Sequence, residues 1–147
     1  MRISRSGFWI TQIKNVGGRV FQRLLVRSGV DAFNGPQGRI LDALWQGDGI
    51  SSREISQRTG LASSTLTSMI DRMEAQGLVV RMPSPRDRRA MLIFLTEAAK
   101  RLQEEYEKVS QQMTDVYFRG FTDDEVTRFE GYLQRVLHNI EEEAENE

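Results

Sequence analysis

Apolar residues along this chain recur mostly at helical spacing, with one short stretch where they run consecutively. Trp9, Ile13, Val16, Val20 and Leu24 fall on one row, with Ile10, Gly17 and Phe21 on its flank, and predict a helix over residues 8–27. Ser28-Gly29 ends it. Asn34 is placed to cap a second helix, with Gly35 and Pro36 in a first turn where a missing N–H costs little. Ile40, Leu41 and Leu44 form the buried face of that helix, and Gly47-Asp48-Gly49 breaks it. Ser51-Ser52-Arg53-Glu54 reads as a capping box opening a helix of barely two turns that ends at Gly60. After Leu61-Ala62, Ser63 caps a further helix to Gln76. Leu66, Ile70 and Met73 form its inward row, Met69 lies beside them, and Gly77 is a left-handed C-cap.

The consecutive apolar runs come next. Leu78–Met82 and Ala90–Leu95 are strand-like, and Pro83-Ser84-Pro85-Arg86-Asp87-Arg88-Arg89 between them makes the tip of a hairpin. Thr96 then caps a long helix to about Phe118, with Ala98, Ala99 and Leu102 early and Val109, Met113 and Val116 later. Thr122-Asp123-Asp124-Glu125 is a second capping box, and the helix it opens carries Phe129, Leu133, Val136, Leu137 and Ile140. The fold class expected is mainly α with a small β-hairpin wing. The first helix and the last two are apolar over more surface than a lone domain of this kind could cover, so a homodimer is expected. A two-fold pair would bury that surface at about 25 cal/mol per Å².

Composition narrows the function. With 147 residues and no cysteine, the chain is long enough for a core without staples and has no disulfide, thiolate metal site or cysteine switch. Two arginines near the start are not followed by the apolar run of a signal peptide, and no stretch approaches the roughly 20 apolar residues of a membrane span, so a cytoplasmic protein is expected. The formal net charge of −1 conceals a polarised distribution. Residues 1–50 hold 7 Lys/Arg against 3 Asp/Glu, residues 51–101 hold 9 against 5, and residues 102–147 hold 4 against 13. The middle of the chain therefore keeps the cationic character that phosphate binding needs.

That middle has chemistry suited to a duplex. With its apolar row buried, the helix of residues 63–76 presents Ser64, Thr65, Ser68 and Arg72, and Ser63 stands at its start. Small hydroxyl side chains let a helix sit deep in a major groove, and an arginine reaches a guanine edge or a phosphate. At the hairpin tip, Arg86, Arg88 and Arg89 surround Asp87. Arginine suits a narrow, electronegative minor groove, whereas Asp87 is repelled there, so its expected role is to brace an arginine by a charge-assisted bond. A winged helix that binds DNA without specificity, or docks a protein, stays open as an alternative. An enzyme is not expected, since no phosphate loop, metal cluster or nucleophile–base pair is visible.

The same residues resemble the MarR family of bacterial transcription regulators. The similarity rests on Gln37, on Ser63-Ser64-Thr65-Leu66-Thr67, on Asp71-Arg72-Met73-Glu74 and on Gly77-Leu78-Val79-Val80-Arg81. Its most specific part is Asp87-Arg88-Arg89 followed by Leu95-Thr96. The resemblance implies a winged helix-turn-helix fold with N- and C-terminal dimerisation helices, in one domain over residues 1–147. Its DNA-binding core would span 34–96 and its dimerisation helices 6–28 and 97–143. It further implies a homodimeric repressor at pseudo-palindromic operators, with release by a small-molecule effector as a family habit. By position, Ser64, Thr65, Ser68 and Arg72 would read the major groove and Arg89 would enter the minor groove with Asp87 bracing it. Arg86 and Arg88 transfer less directly because wing tips vary. The chain departs from the peroxide-sensing branch in having no cysteine, and it places Ala98-Ala99 where many relatives have glycine.

Trp9, Phe33 and Trp45 could line an effector pocket, although aromatics at helical spacing are more often core. His138, Glu141 and Glu142 share a helix face but lack a second ligand set, so no metal and no cofactor are expected.

Overall fold

The structure is a computed structural model that describes residues 1–146. Its elements run α1 (Ser6–Arg27), α2 (Gly35–Trp45), β1 (Ile50–Ser51), α3 (Ser52–Thr59), α4 (Ser63–Ala75), β2 (Val79–Pro83), β3 (Met91–Leu95), α5 (Glu97–Arg101), α6 (Gln103–Tyr117) and α7 (Asp123–Glu145). The chain forms two compact units, Met1–Gln112 and Met113–Glu147.

The first unit holds the winged helix-turn-helix. Its core gathers Leu25 of α1, Ile40, Leu41 and Leu44 of α2, Ile55 of α3, and Leu66, Ile70 and Met73 of α4, with Val79, Ile93 and Leu95 from the sheet. The inward rows expected of α2 and α4 are thus the buried ones. Local signals set the helix ends. Asn34 accepts from the Gln37 N–H at 2.9 Å while the Gln37 side chain accepts from the Asn34 N–H at 3.1 Å, a reciprocal box. Gly60 and Gly77 close α3 and α4 with φ of 73° and 77°, a conformation that costs other residues a clash at Cβ.

Three expectations change. Ser51 caps α3 by accepting from the Glu54 N–H at 3.2 Å, but the Glu54 carboxylate turns to Arg58 instead of completing the box, because an i,i+4 cation on the same face competes for it. The cap of α4 is Ala62, which offers no side-chain acceptor; Ser63 is already the first helical residue. The long helix expected after Thr96 is two helices. Thr96 does cap α5, accepting from Ala99 N–H at 3.2 Å, but Leu102 tightens the last turn by donating to the Ala99 carbonyl at 3.1 Å, and α6 restarts at Gln103.

The sheet is antiparallel in the order β1-β3-β2. The two-residue β1, which the apolar pattern does not announce, pairs Ile50 with Ile93 and Ser51 with Leu92. The hairpin pairs Val79 with Leu95 through Pro83 with Met91. Beyond β1, Gly49 donates to the Ile93 carbonyl at 2.8 Å and the Asp48 carboxylate accepts from the Leu95 N–H at 2.9 Å, standing in for a further strand residue.

Apolar surface remains on helices of both units. On α1, Phe8, Trp9, Ile10, Ile13 and Val16 are exposed, and only Gly17 and Leu25 are buried. The second unit contains α7, opened by the box of Thr122 and Glu125 with both bonds present (3.2 and 2.9 Å). No residue of α7 is buried, and Phe129, Tyr132, Leu133, Val136, Leu137 and Ile140 are all exposed. Among the described residues no helix is long and apolar enough to cross a membrane.

Candidate nucleic-acid interface

The expected groove-reading residues lie together on one exposed face. Ser64, Thr65, Ser68 and Arg72 are all exposed on α4, opposite the buried row of Leu66, Ile70 and Met73. Ser63 is exposed at the first position. Because Ala62 supplies no capping oxygen, the first-turn N–H groups of this helix have no side-chain acceptor and point out at the positive end of the helix dipole. An incoming phosphate oxygen is the natural acceptor there. Thr67 is spent locally, its hydroxyl donating to the Ser63 carbonyl at 3.0 Å. Arg72 forms no ion pair among the described residues, so its guanidinium is free to meet a base edge or a phosphate.

The helix is held from behind by α2 and β2. The amide of Gln37, a residue only 4% exposed, donates to the Gln76 side chain at the C-cap of α4, at 3.1 Å. On α3, the Ser56 hydroxyl donates to the Leu61 carbonyl at 2.6 Å and fixes the turn that leads into α4. These bonds set the direction from which α4 leaves the core.

The wing tip is a built turn. Ser84 N–H donates to the Ala90 carbonyl at 2.9 Å and Ala90 N–H to the Asp87 carbonyl at 3.0 Å, closing the loop. Within it the Ser84 hydroxyl accepts from the Arg86 N–H at 3.3 Å, and the Asp87 carboxylate accepts from the Arg89 N–H at 3.0 Å. Each is a side chain bending the main chain two residues on. The brace expected of Asp87 is therefore revised: it holds the backbone of Arg89, and no ion pair joins it to a guanidinium among the described residues. The physical reason is proximity, since a short carboxylate reaches the N–H two residues ahead more easily than a side chain swinging out to solvent. Arg86, Arg88 and Arg89 are exposed, and their guanidinium groups form no ion pair among the described residues.

One further arginine, which the residue pattern does not single out, contacts α4. Arg81 of β2 binds Asp71 (Nη2 to Oδ1, 2.6 Å) and Glu74 (Nη1 to Oε1, 3.1 Å), both on α4. The sequence signal for the pairing is the alternation that places Arg81 on the sheet face carrying Val79, which packs against the helix holding both acids.

Of the aromatics expected at an effector pocket, Phe33 and Trp45 lie together and Trp9 pairs elsewhere. Phe33 is buried and Trp45 half-buried, with ring centroids 6.4 Å apart, and both pack on Tyr106 at 5.9 and 5.3 Å. The Trp45 indole N–H donates to the Ala99 carbonyl at 3.0 Å. Trp9 is 57% exposed and meets Phe8 instead. Phe33 and Trp45 are core, and Tyr106 fills the space between them. Burial, then the nearby Asp42 carboxylate, raises the Tyr106 pKa above its ordinary value, with a Ser110 hydrogen bond and Arg39 acting in the opposite direction. His138 pairs with Glu142 at 3.1 Å on the exposed surface of α7, and no group of metal-ligating side chains is found among the described residues.

Comparison with known proteins agrees with this geometry. The model of the MarR family matches residues 33–91, from α2 through the wing tip to the first residue of β3. The HTH-type transcriptional repressor IacR of Pseudomonas putida is 30% identical over 134 residues, 91% of this chain and 78% of the relative. The uncharacterised HTH-type transcriptional regulator YsmB of Bacillus subtilis is 34% identical over 109 residues, 74% of this chain and 75% of the relative. The crystal structure of a MarR mutant from Escherichia coli complexed with operator DNA superimposes with a TM-score of 0.81 at 27% identity, covering 89% of this chain and 92% of that one. This chain belongs to the MarR family, DNA-binding transcription regulators and not enzymes.

Proposed function

We propose that the chain acts as a homodimeric, sequence-specific repressor that occupies a pseudo-palindromic operator. Residues 34–96 would form its DNA-binding core, and residues 6–28 and 97–143 its dimerisation helices. The observation that carries this is the single exposed face of α4, with Ser64, Thr65, Ser68 and Arg72 aligned and every inward position filled by core. The hydroxyls and Arg72 read base edges in the major groove, while Arg89, assisted by Arg86 and Arg88, enters the adjacent minor groove from the wing. The apolar rows of α1 and α7 support the dimer, since each leaves large side chains in water that a second copy would cover. A two-fold pair places its two reading helices about 34 Å apart, one turn of the duplex. The name of IacR as a repressor, and operator DNA bound to the Escherichia coli relative, support the sign and the ligand.

Selection from a random duplex pool tests this. The wild-type chain should return two related half-sites with centres about ten base pairs apart. Variants at Thr65 or Ser68 should return a changed consensus. A pool that never converges, with binding of every duplex that vanishes as salt rises, would contradict sequence-specific repression and leave only electrostatic coating.

A further inference from the structure

Helix α4 has an electrostatic difficulty that its fold corrects. Its residues include two acids, Asp71 and Glu74, against the one base Arg72. Asp71 follows Ser68 by three positions and Ser64 by seven, so it lies beside the hydroxyls on the exposed face. Bare carboxylates there would meet phosphate oxygens with like charge. Both acids instead bind Arg81. Its guanidinium is 2.6 Å from Asp71 and 3.1 Å from Glu74, and its main-chain N–H donates to the second oxygen of Glu74 at 3.3 Å. The Arg81 side chain is 23% exposed, whereas Asp71 and Glu74 are 62% and 43% exposed. The cation is therefore tucked between helix and sheet while the acids it serves face solvent.

We propose that Arg81 is a positioning residue for DNA binding that acts by charge: it neutralises the acidic edge of α4 so that the phosphate backbone can approach Ser64, Ser68 and Arg72. It does so without touching DNA. The proposal rests on α4 facing the duplex, as argued above. A mechanical alternative exists in which the same bonds only clamp the wing to α4, and the two differ in what happens when the acids are removed. With Arg81 lost alone, the region gains one net negative charge. With the acids also lost, the net charge becomes more positive than in the wild type although the bridge is gone. Neutralisation thus predicts rescue, and a clamp predicts none.

The test uses the full chain and a duplex of about 30 base pairs selected by the wild type from a random pool, titrated at several salt concentrations around 0.1 M. Arg81→Met should bind about tenfold more weakly at the lowest salt, with the deficit shrinking as salt screens the two bare carboxylates from the phosphates. The triple variant Asp71→Asn/Glu74→Gln/Arg81→Met should bind at least as tightly as the wild type. The double variant Asp71→Asn/Glu74→Gln should bind most tightly and show the steepest slope. If all three variants bind more weakly than the wild type, the bridge is a clamp and neutralisation is wrong. Equal affinity and slope for all four proteins would instead show that α4 does not face the duplex, which overturns the proposal by a different route. The double variant retains Arg81 and alters only exposed side chains, so its affinity decides the matter even if Arg81→Met does not fold.

Discussion

Replacing Asp48 by alanine removes one acceptor and leaves a main-chain donor without a partner. The antiparallel register that pairs Ile50 with Ile93 would, if continued, set residue 48 opposite Leu95. The chain supplies a carboxylate at that point, and Asp48 Oδ2 accepts from the Leu95 N–H at 2.9 Å. Leu95 is 8% exposed, so water replaces that acceptor poorly. A hydrogen bond to a charged group contributes about 1.5–3 kcal/mol, and an orphaned buried N–H costs a similar amount. Asp48→Ala should therefore destabilise the winged unit by about 2 kcal/mol, or about 4–8 °C in melting temperature for a chain of this size. Asp48→Asn keeps an oxygen at the same place and should lose less than about 1 kcal/mol, the charge assistance only. Urea unfolding at fixed protomer concentration measures both, since the proposed dimer would make the midpoint concentration-dependent. An unchanged midpoint for the alanine variant, or equal losses for the two variants, would refute the account of Asp48 as a substitute strand residue.

Other perturbations have equally definite outcomes. Arg89→Ala should lose operator affinity while its far-ultraviolet circular dichroism and melting stay at wild-type values, and the salt slope should fall by about 0.9 if one phosphate contact goes with it. Gly49→Ala should destabilise by about 1–3 kcal/mol in thermal unfolding, because φ is +75° there and an added Cβ would lie 2.9 Å from the Phe94 ring. Gly38→Ala should show a smaller loss: its Cβ would meet the Tyr106 ring at 2.7 Å, but the gain in helix propensity offsets about 1 kcal/mol of that clash. The Asp42 carboxyl, exposed by area but crowded at the α2 surface, has its pKa raised by desolvation and then by Glu107. A carboxyl raised in the folded state holds its proton more tightly there than when unfolded. Its ionisation thus costs stability as pH rises from the ordinary value of 3.8 through the raised one. Asp42→Asn should accordingly be more stable than the wild type at neutral pH, with the advantage gone below about pH 3.8 in thermal melts.

What could be read from residue order alone was what local chemistry decides. Asn34, Thr122 with Glu125, and the glycines at 60 and 77 fix helix ends within a turn of themselves, and each is where the pattern put it. The inward rows of α2 and α4 follow from a period of 3.6 that tertiary packing then uses. What escaped was set by competition or by distant partners. Glu54 chose Arg58 over its box, and Leu102 divides a helix whose composition carries no glycine or proline to mark the place. Strand β1 is two residues long and exists only because β3 lies beside it. Arg81 and Asp71 are ten positions apart, so their pairing needs the turn at Gly77 before it can be seen. Asp87 lies in the hairpin tip that the pattern predicts, but its partner is the nearest N–H and not a guanidinium.

Hydroxyl-radical footprinting of the wild-type chain on its selected duplex, with the protein's mass in solution measured alongside, tests two-fold reading of DNA most directly. A dimer should protect two regions with centres about ten base pairs apart, each flanked by minor-groove protection that disappears in Arg89→Ala. A monomer, or a dimer that protects the backbone uniformly with no change on losing Arg89, would contradict it.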